Sequence, residues 1–561
     1  MLINRIRESI IGDKLGISTS FGTKPLIYAD YTASGRALSL IEDLIREKVL
    51  PMYANTHTDT TATGAATSEL RRLSKAQARH FFAVPDDYSV IYCGYGATAA
   101  VNKAIDLLGL RDSPSDNDLP VVFIGPYEHH SNELPWRECN VDLVVIPLTR
   151  DGVLDIQELD RQLQDYSDRT TKIGSFSAAS NVTGLITDIE TVTALLHRHG
   201  ALSFWDYAAA APYLAVDCQG QVEPGLDTRK DAVFISPHKF IGGPETPGVL
   251  LIHNSIVARC APAVPGGGTV SYVTSVDHVY HHDLERREEA GTPSIIGAIR
   301  AGLVFKLYAE VRSQAVASEV SGVDIAQIMT RWLRHPNIEI LGNTTKPRLP
   351  IISLQIRHHN RYLHYGFVVA VLNDVFGIQS RGGCSCAGPY GHQLLGFNLS
   401  EAKLLESLVL SGHSIMRPGW VRLNFCQFMD ESTVDYIVDA VELVATHGWR
   451  LLSHYTFDES VGCWLYQGNK PVSQTWFEAF QFADAMPVDS AAKLHKQAMP
   501  SLDTYLQLGK AEMLMKRERL PELEVSIPES AEPLRWFVLP QEVGAGSVSY
   551  THLRAHETFA N

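Results

Sequence analysis

The chain has 561 residues, 45% hydrophobic and 20% charged, enough for two or three globular domains around a large core. Its 48 basic and 63 acidic residues leave a net charge of −15, which argues against a nucleic acid or an anionic membrane as partner. No apolar run reaches the roughly 18 residues of a membrane span, "MLINRIRESIIGDKLG" lacks a signal-peptide core, and eight scattered cysteines point to the reducing cytoplasm, not to a disulfide scaffold.

From about residue 25 to 252, short apolar strands alternate with helical stretches, which predicts an α/β fold with a largely parallel sheet. Strands are expected at "PLIYAD" (25–30), "VVFIG" (121–125), "DLVVIPL" (142–148), "TKIGSFSAAS" (171–180), "ALSFWDY" (201–207) and "AVFIS" (232–236). Between "SVIYC" and the next strand, Ala97, Val101, Ala104, Ile105 and Leu108 fall at helical spacing. A helix near 294–311 leads into a smaller domain with strands "LPIISLQI" and "VRLNF" and helices "YGFVVAVLNDVFG" and "STVDYIVDAVELV". The boundaries read as an N-terminal segment 1–24, a large domain 25–312, a small domain 313–449 and an extension 450–547 of unassigned role. Within that extension, 486–520 reads as helical and "PELEVSIPESAEPL" (521–534) as a linker. "VSYTHLRAHET", inside 548–561, resembles a translated sequencing adapter, so that tail is expected to be non-native.

Lys239 is the residue that composition does not explain. It follows the apolar "AVFIS" and precedes "FIGGPETPGVLLI", a glycine- and proline-rich loop leading to another strand. An amine beside buried strands is costly unless chemistry uses it. Such a lysine usually forms a Schiff base, most often with pyridoxal phosphate. That group needs a carboxylate for its ring nitrogen, donors for its phosphate, a flat side chain over its ring and a cation for the substrate carboxylate. Asp206, ending the strand in "FWDYAAAAP", could be the carboxylate; it could equally cap the following alanine run. "YCGYGATAAV" offers a helix N-terminus with Ala97 and Thr98 for the phosphate, although a lone G-x-G is also a plain turn. Ser236 and Thr292 add hydroxyls. His129 in "YEHHSNELPW" could cover the ring or sit on the surface. Arg422 in "GWVRLNF" lies on an apolar strand and needs an anion, either a substrate carboxylate or a salt bridge between domains.

Taken in order, G-A-T, E-H-H-S-N, S-N-V-T-G, D-x-A-x-A, S-x-H-K and E-A-G-T-P resemble the class V aminotransferase family of fold-type I pyridoxal phosphate enzymes, nearest its cysteine desulfurase and selenocysteine lyase branch. The resemblance spans roughly 28–444. It implies a large mostly parallel-sheet domain with a smaller α+β domain, pyridoxal 5'-phosphate as cofactor, an amino-acid substrate and a homodimer. In its terms Lys239 resembles the Schiff-base lysine, Asp206 the partner of the ring nitrogen and His129 the stacking histidine. Thr98, Ala97 and Ser236 resemble phosphate ligands, with His238 beside the lysine. Thr292 resembles a phosphate ligand reaching across from a second subunit, Asn181 the asparagine near cofactor and substrate, and Arg422 the carboxylate anchor.

The pattern R-x-G-x-x-C-A-x-P falls on Arg381, Gly383, Cys386, Ala387 and Pro389 in "SRGGCSCAGPYG", which makes Cys386 the expected nucleophile. Attack needs a thiolate, which a cation such as Arg381 favours; a turn with small buried cysteines is the alternative reading. No metal is expected. The family's aspartate motif reads D-G-A-Q, whereas this chain has Tyr207 and Ala209 in "DYAA", without the glutamine donor. The expected activity is therefore a cysteine desulfurase-like lyase yielding alanine and an enzyme persulfide, with a sulfur-acceptor protein as possible partner. The alternative is an aminotransferase or related amino-acid enzyme in which Cys386 is incidental.

Overall fold

A computed structural model of the chain describes residues 2–56, 58–112, 118–315, 323–467, 499–518, 520 and 523–543, with isolated positions at 469, 477 and 481. The expected adapter-derived tail and most of residues 468–498 lie outside the described residues. The chain separates into two compact units: Met1–Ile11, Tyr31–Ser321 and Gly342–Ile351 in one, Gly12–Asp30, Gly322–Leu341 and Ile352–Asn561 in the other.

The first unit is built on seven strands: β1 (Tyr88–Cys93), β2 (Val121–Ile124), β3 (Asp142–Val145), β4 (Lys172–Ser177), β5 (Leu202–Asp206), β6 (Ala232–Ile235) and β7 (Gly248–His253). Their order in the sheet is β1-β7-β6-β5-β4-β2-β3. β3, β2, β4, β5 and β6 run parallel, while β7 is antiparallel to both of its neighbours. Uninterrupted apolar runs such as Val121–Ile124 and Ala232–Ile235 are buried at every position, as strands covered on both faces must be. Helix α1 (Ala62–Phe81), which the sequence reading missed, packs along α3 (Ile295–Ala315). Between them in the chain comes α2 (Gly96–Leu108), which buries Ala97, Ala100, Val101, Ala104 and Ile105. Register puts Ser177, Asp206 and Phe234 side by side. The loops at the carboxyl ends of β2, β4, β5 and β6 thus share one edge, where α/β sheets place ligand groups.

The second unit carries a five-stranded sheet: β8 (Ile338–Ile340), β9 (Ile351–His358), β10 (Arg381–Gly383) and β11 (Trp420–Asn424) in the order β8-β9-β11-β10, with a short strand Arg361–Leu363 paired with β9. Helices α4 (Tyr365–Phe376) and α5 (Glu431–His447) pack together, and α6 (Leu502–Leu514) lies against both. Two expectations change here. "PLIYAD" does not join the large sheet: Ile27–Tyr28 pairs in parallel with Ile378–Gln379 of the second unit. Nor is 521–534 a plain linker, because Leu523, Val525 and Ala531 are buried and Glu529–Leu534 forms a 3-10 turn. Among the described residues no helix is long and apolar enough to cross a membrane.

Gly377 ends α4 with a left-handed backbone at φ 71°, and a Cβ there would run into the Pro25 carbonyl. Gly377→Ala is expected to destabilise the protein by about 2 kcal/mol or more, combining left-handed strain with the collision. The midpoint of urea unfolding checks this; an unchanged midpoint would show that the strand 27–28 is not held against α4.

Candidate active site

In the first unit the chain leaves β6 at Ser236 and makes a single 3-10 turn over Pro237–Lys239, closed by Lys239 N–H donating to the Ser236 carbonyl at 3.1 Å. Pro237 at the start of the turn presets its backbone. Ser236 is buried, and its Oγ accepts from Ala97 N–H at 2.9 Å, tying the turn to the N-terminus of α2. Gly96 makes that approach possible. Its φ is +57°, and a Cβ would stand 2.8 Å from both Ser236 Oγ and His238 Cε1. Thr98 Oγ1 shares a 2.6 Å hydrogen bond with Ser131 Oγ, and Ser131 N–H donates to His129 Nδ1 at 3.0 Å. Ala97, Thr98, Ser236, His238 and the His129 loop are therefore one cluster.

Asp206 is buried at the end of β5. Its Oδ1 accepts from Ala208 N–H at 2.8 Å, and its backbone carbonyl accepts from Ala178 N–H. It does make the cap-like bond that the sequence allowed, but it also lies within electrostatic reach of Lys239. Burial raises its carboxyl above the ordinary range, and Ala208 N–H and the Lys239 ammonium act against that rise. Asn181 is buried in the loop after β4, where Ser180 Oγ accepts from the N–H groups of Val182 and Thr183. Thr292 is exposed and accepts from Asn55 Nδ2 at 3.2 Å.

The sequence reading missed Glu128, which stands beside His129. It is fully enclosed, with Oε1 accepting from Ser177 N–H at 2.9 Å and Oε2 from Ser177 Oγ at 2.6 Å and Asn132 Nδ2 at 2.7 Å. Burial pushes its carboxyl up to about 7 against those donors, with the charge of Asp206 adding to the rise. Because Ser177 pairs in register with Asp206, this network fixes the His129 loop to the strand beside the aspartate. An acid directly preceding the histidine pair was the available signal.

In the second unit Arg422 is buried on β11 and donates to Asp30 Oδ1 at 2.9 Å. Arg381, opposite it on β10, donates through Nε to Asp30 Oδ2 at 2.8 Å. The anion that justifies burying Arg422 is thus Asp30, an acid of its own unit. Of the two readings, substrate carboxylate or salt bridge, a salt bridge to Asp30 is present; Asp30, the last residue of "PLIYAD", had gone unnoticed. Arg422 also interacts electrostatically with Cys386. Cys386 is exposed and Cys384 half-buried. Ser385 and Cys386 both take left-handed backbones (φ 53° and 57°), and Ala387 N–H closes the turn on the Cys384 carbonyl at 3.1 Å. Two successive non-glycine residues in that region cost roughly 1–2 kcal/mol each, so the turn presents Cys386 outward at an expense. This rules out the reading of Cys386 as a small buried hydrophobe.

The aminotransferase class-V family model matches residues 27–437. A probable cysteine desulfurase of Halalkalibacterium halodurans is 25% identical over 370 residues, 65% of this chain and 85% of its own. A cysteine desulfurase of Dickeya dadantii is 27% identical over 379 residues, 66% of this chain and 86% of its own. Among solved structures, the apo cysteine desulfurase of Thermococcus onnurineus superposes with a TM-score of 0.61 at 21% identity, covering 79% of this chain and 98% of that one. That likeness concerns the fold.

Enzymes of that family use pyridoxal phosphate, and the residues here fit it. The Ala97 N–H, Ser236 and Thr98 form a donor set at a helix N-terminus of the kind that takes a phosphate. Gly96, lacking a Cβ, lets Ser236 and His238 close onto that helix N-terminus. Asp206, whose charged form burial disfavours, would gain a cationic partner in a protonated ring nitrogen, and Lys239 is the amine on the neighbouring loop. His238 is lowered to about 4, by burial first and the Lys239 charge second, so it is neutral near pH 7. Between pH about 4 and the ordinary 6.5, His238 binds fewer protons folded than unfolded, so it makes folded stability rise with pH across that window. His238→Asn is expected to flatten that rise, as measured by urea unfolding at both ends of the window. Identical slopes in the two proteins would contradict the placement of His238.

Proposed function

The chain belongs to the class-V aminotransferase family, and from that premise we propose that it is a pyridoxal phosphate-dependent cysteine desulfurase-like enzyme. The observation that carries this reading is Cys386, exposed at the tip of a strained turn and in electrostatic contact with Arg422. When bound, pyridoxal phosphate supplies an electron sink for the α-carbon of an amino acid. Ala97 N–H, Thr98, Ser236 and, from a second subunit, Thr292 would hold its phosphate, Asp206 would pair with its ring nitrogen, and His129 and Asn181 would line the ring.

Lys239 Nζ is the group that takes up and returns the α-proton. Its neighbour His238, neutral near pH 7, does not add a competing positive charge. Arg422 binds the substrate carboxylate, with Asp30 fixing its guanidinium and Arg381 alongside. Cys386 attacks as a thiolate. Its sulfur bonds to the substrate sulfur as the substrate Cβ–S bond breaks, and the carbon side keeps the electron pair and is protonated. The balance is one thiol plus cysteine giving one persulfide plus alanine. A sulfur-acceptor protein, a homodimer and a cytoplasmic setting complete the proposal.

One observation favours a second reading. Tyr207 and Ala209 are both buried, so no side-chain donor stands where this branch has a glutamine. An aminotransferase-like enzyme without a working thiol would tolerate that. Incubating the purified enzyme with cysteine, and separately with an amino-acid panel plus a keto acid, separates the two. With a thiol reductant present to cleave the persulfide, sulfide and alanine in equal amounts are expected from cysteine. Cys386→Ser should lower sulfide release by at least about a hundredfold, as expected for loss of a nucleophile, whereas Cys384→Ser should only slow it. A new keto acid, or sulfide release unchanged in both serine variants, would favour the aminotransferase.

A further inference from the structure

The family match ends at residue 437, yet the chain after it packs onto the same unit as the cysteine turn. Tyr362 N–H donates to the Trp536 carbonyl at 3.1 Å, and Val538 N–H returns a 2.9 Å bond to Tyr362. Arg535 is buried between Glu532 and Glu542, at 2.6 Å from each, and Glu532 also receives Arg361 at 2.8 Å. These ties set one ring in place. The Trp536 indole lies 5.9 Å from the Tyr365 ring at an interplanar angle of 8°, and 5.2 Å from His364 at 24°. His364 is itself fixed by Trp464 Nε1–H donating to its Nδ1 at 2.9 Å.

Tyr365 also bears on the strand that leads into the cysteines. A Cβ on Gly382 would stand 2.8 Å from the Tyr365 ring, and one on Gly419 would stand 2.6 Å from that ring and 2.7 Å from Gly383 Cα. Gly382 of "SRGGC" and Gly419 of "RPGW" are thus seats for the tyrosine, and Cys384 lies within its electrostatic reach. We infer that Trp536 is a positioning residue for Cys386: the extension holds Tyr365 against Gly382 and Gly419, and so holds the strained turn in the conformation that presents the thiol. The inference rests on Cys386 being the reacting group.

Two points separate this from ordinary packing. Consecutive left-handed residues persist only where their surroundings over-determine them, and the Tyr365 ring is seated, with Val369, on Gly382 just before that turn. Also, Trp536 Nε1 is buried with no hydrogen-bond partner among the described residues. That carries a penalty of about 1–3 kcal/mol. The indole is therefore retained for its flat face, not for its donor.

The test compares Trp536→Leu, which keeps apolar volume but loses the flat face, with Trp536→Phe, which keeps a ring. Both are made in the full chain loaded with pyridoxal phosphate. Peptide mass spectrometry follows iodoacetamide labelling of Cys386 across pH, and sulfide and alanine are measured in parallel. Because misplacing a reacting group by an ångström can cost about a hundredfold, Trp536→Leu should lower kcat about tenfold or more, hold KM within about twofold and shift the Cys386 labelling rate at least about threefold. Trp536→Phe should restore both within about threefold. A Leu variant that labels and turns over like wild type, or Leu and Phe variants displaced equally, would overturn the inference. If Trp536→Leu does not fold, Tyr365→Leu against Tyr365→Phe makes the same comparison from the opposing ring. Should wild type release no sulfide, the desulfurase reading fails on that result, while the labelling comparison still decides the role of Trp536.

Discussion

A buried carboxylate and an amine at the ends of neighbouring strands set the terms for the first unit. Asp206 ends β5, Lys239 follows β6, and their charges oppose the burial that would otherwise keep the aspartate protonated. An enclosed charge persists only with a partner nearby, so the groups around the pair are constrained in turn. Pro237 and Ser236 shape the turn, Gly96 leaves room for it, and Glu128 locks the neighbouring loop to β4 through Ser177. Each of these would be an ordinary feature alone. Their convergence on one sheet edge is what makes the site.

The second unit solves a comparable problem with charges of the opposite balance. Two arginines face each other across β10 and β11 with a single carboxylate, Asp30, shared between them. The segment bearing Asp30 comes from the N-terminal part of the chain and is held by the parallel pairing of Ile27–Tyr28. The cysteine turn beside it stores backbone strain, and the aromatic stack of Tyr365 and Trp536 gives it a fixed backing. A thiol meant for exchange chemistry gains from exposure but loses from wandering; the glycines and the stack reconcile the two.

Most of the first unit was legible because its signals are local. Apolar runs flanked by turn residues gave β2 and β4 to β6, and the spacing of Ala97, Val101 and Ala104 gave the buried face of α2. Most named candidates at the cofactor end fell in one cluster for the same reason, since parallel strands bring the loops after them to one edge. What was not legible depends on contacts distant in sequence. The pairing of residue 27 with 378, the Asp30 bridge to residues 381 and 422, and the seating of residue 536 on 365 leave no periodic trace. The linker reading of 521–534 failed similarly, because its prolines and acids look solvated until tertiary partners bury Leu523 and Val525.

The most direct test of the central claim asks where the cofactor attaches, independently of any turnover. Purified enzyme is loaded with pyridoxal phosphate, treated with a hydride donor, digested and mapped by mass spectrometry. The account predicts a single pyridoxyl label on Lys239 that disappears in Lys239→Ala while the protein stays folded. A label on another lysine, or one that survives Lys239→Ala, would contradict it.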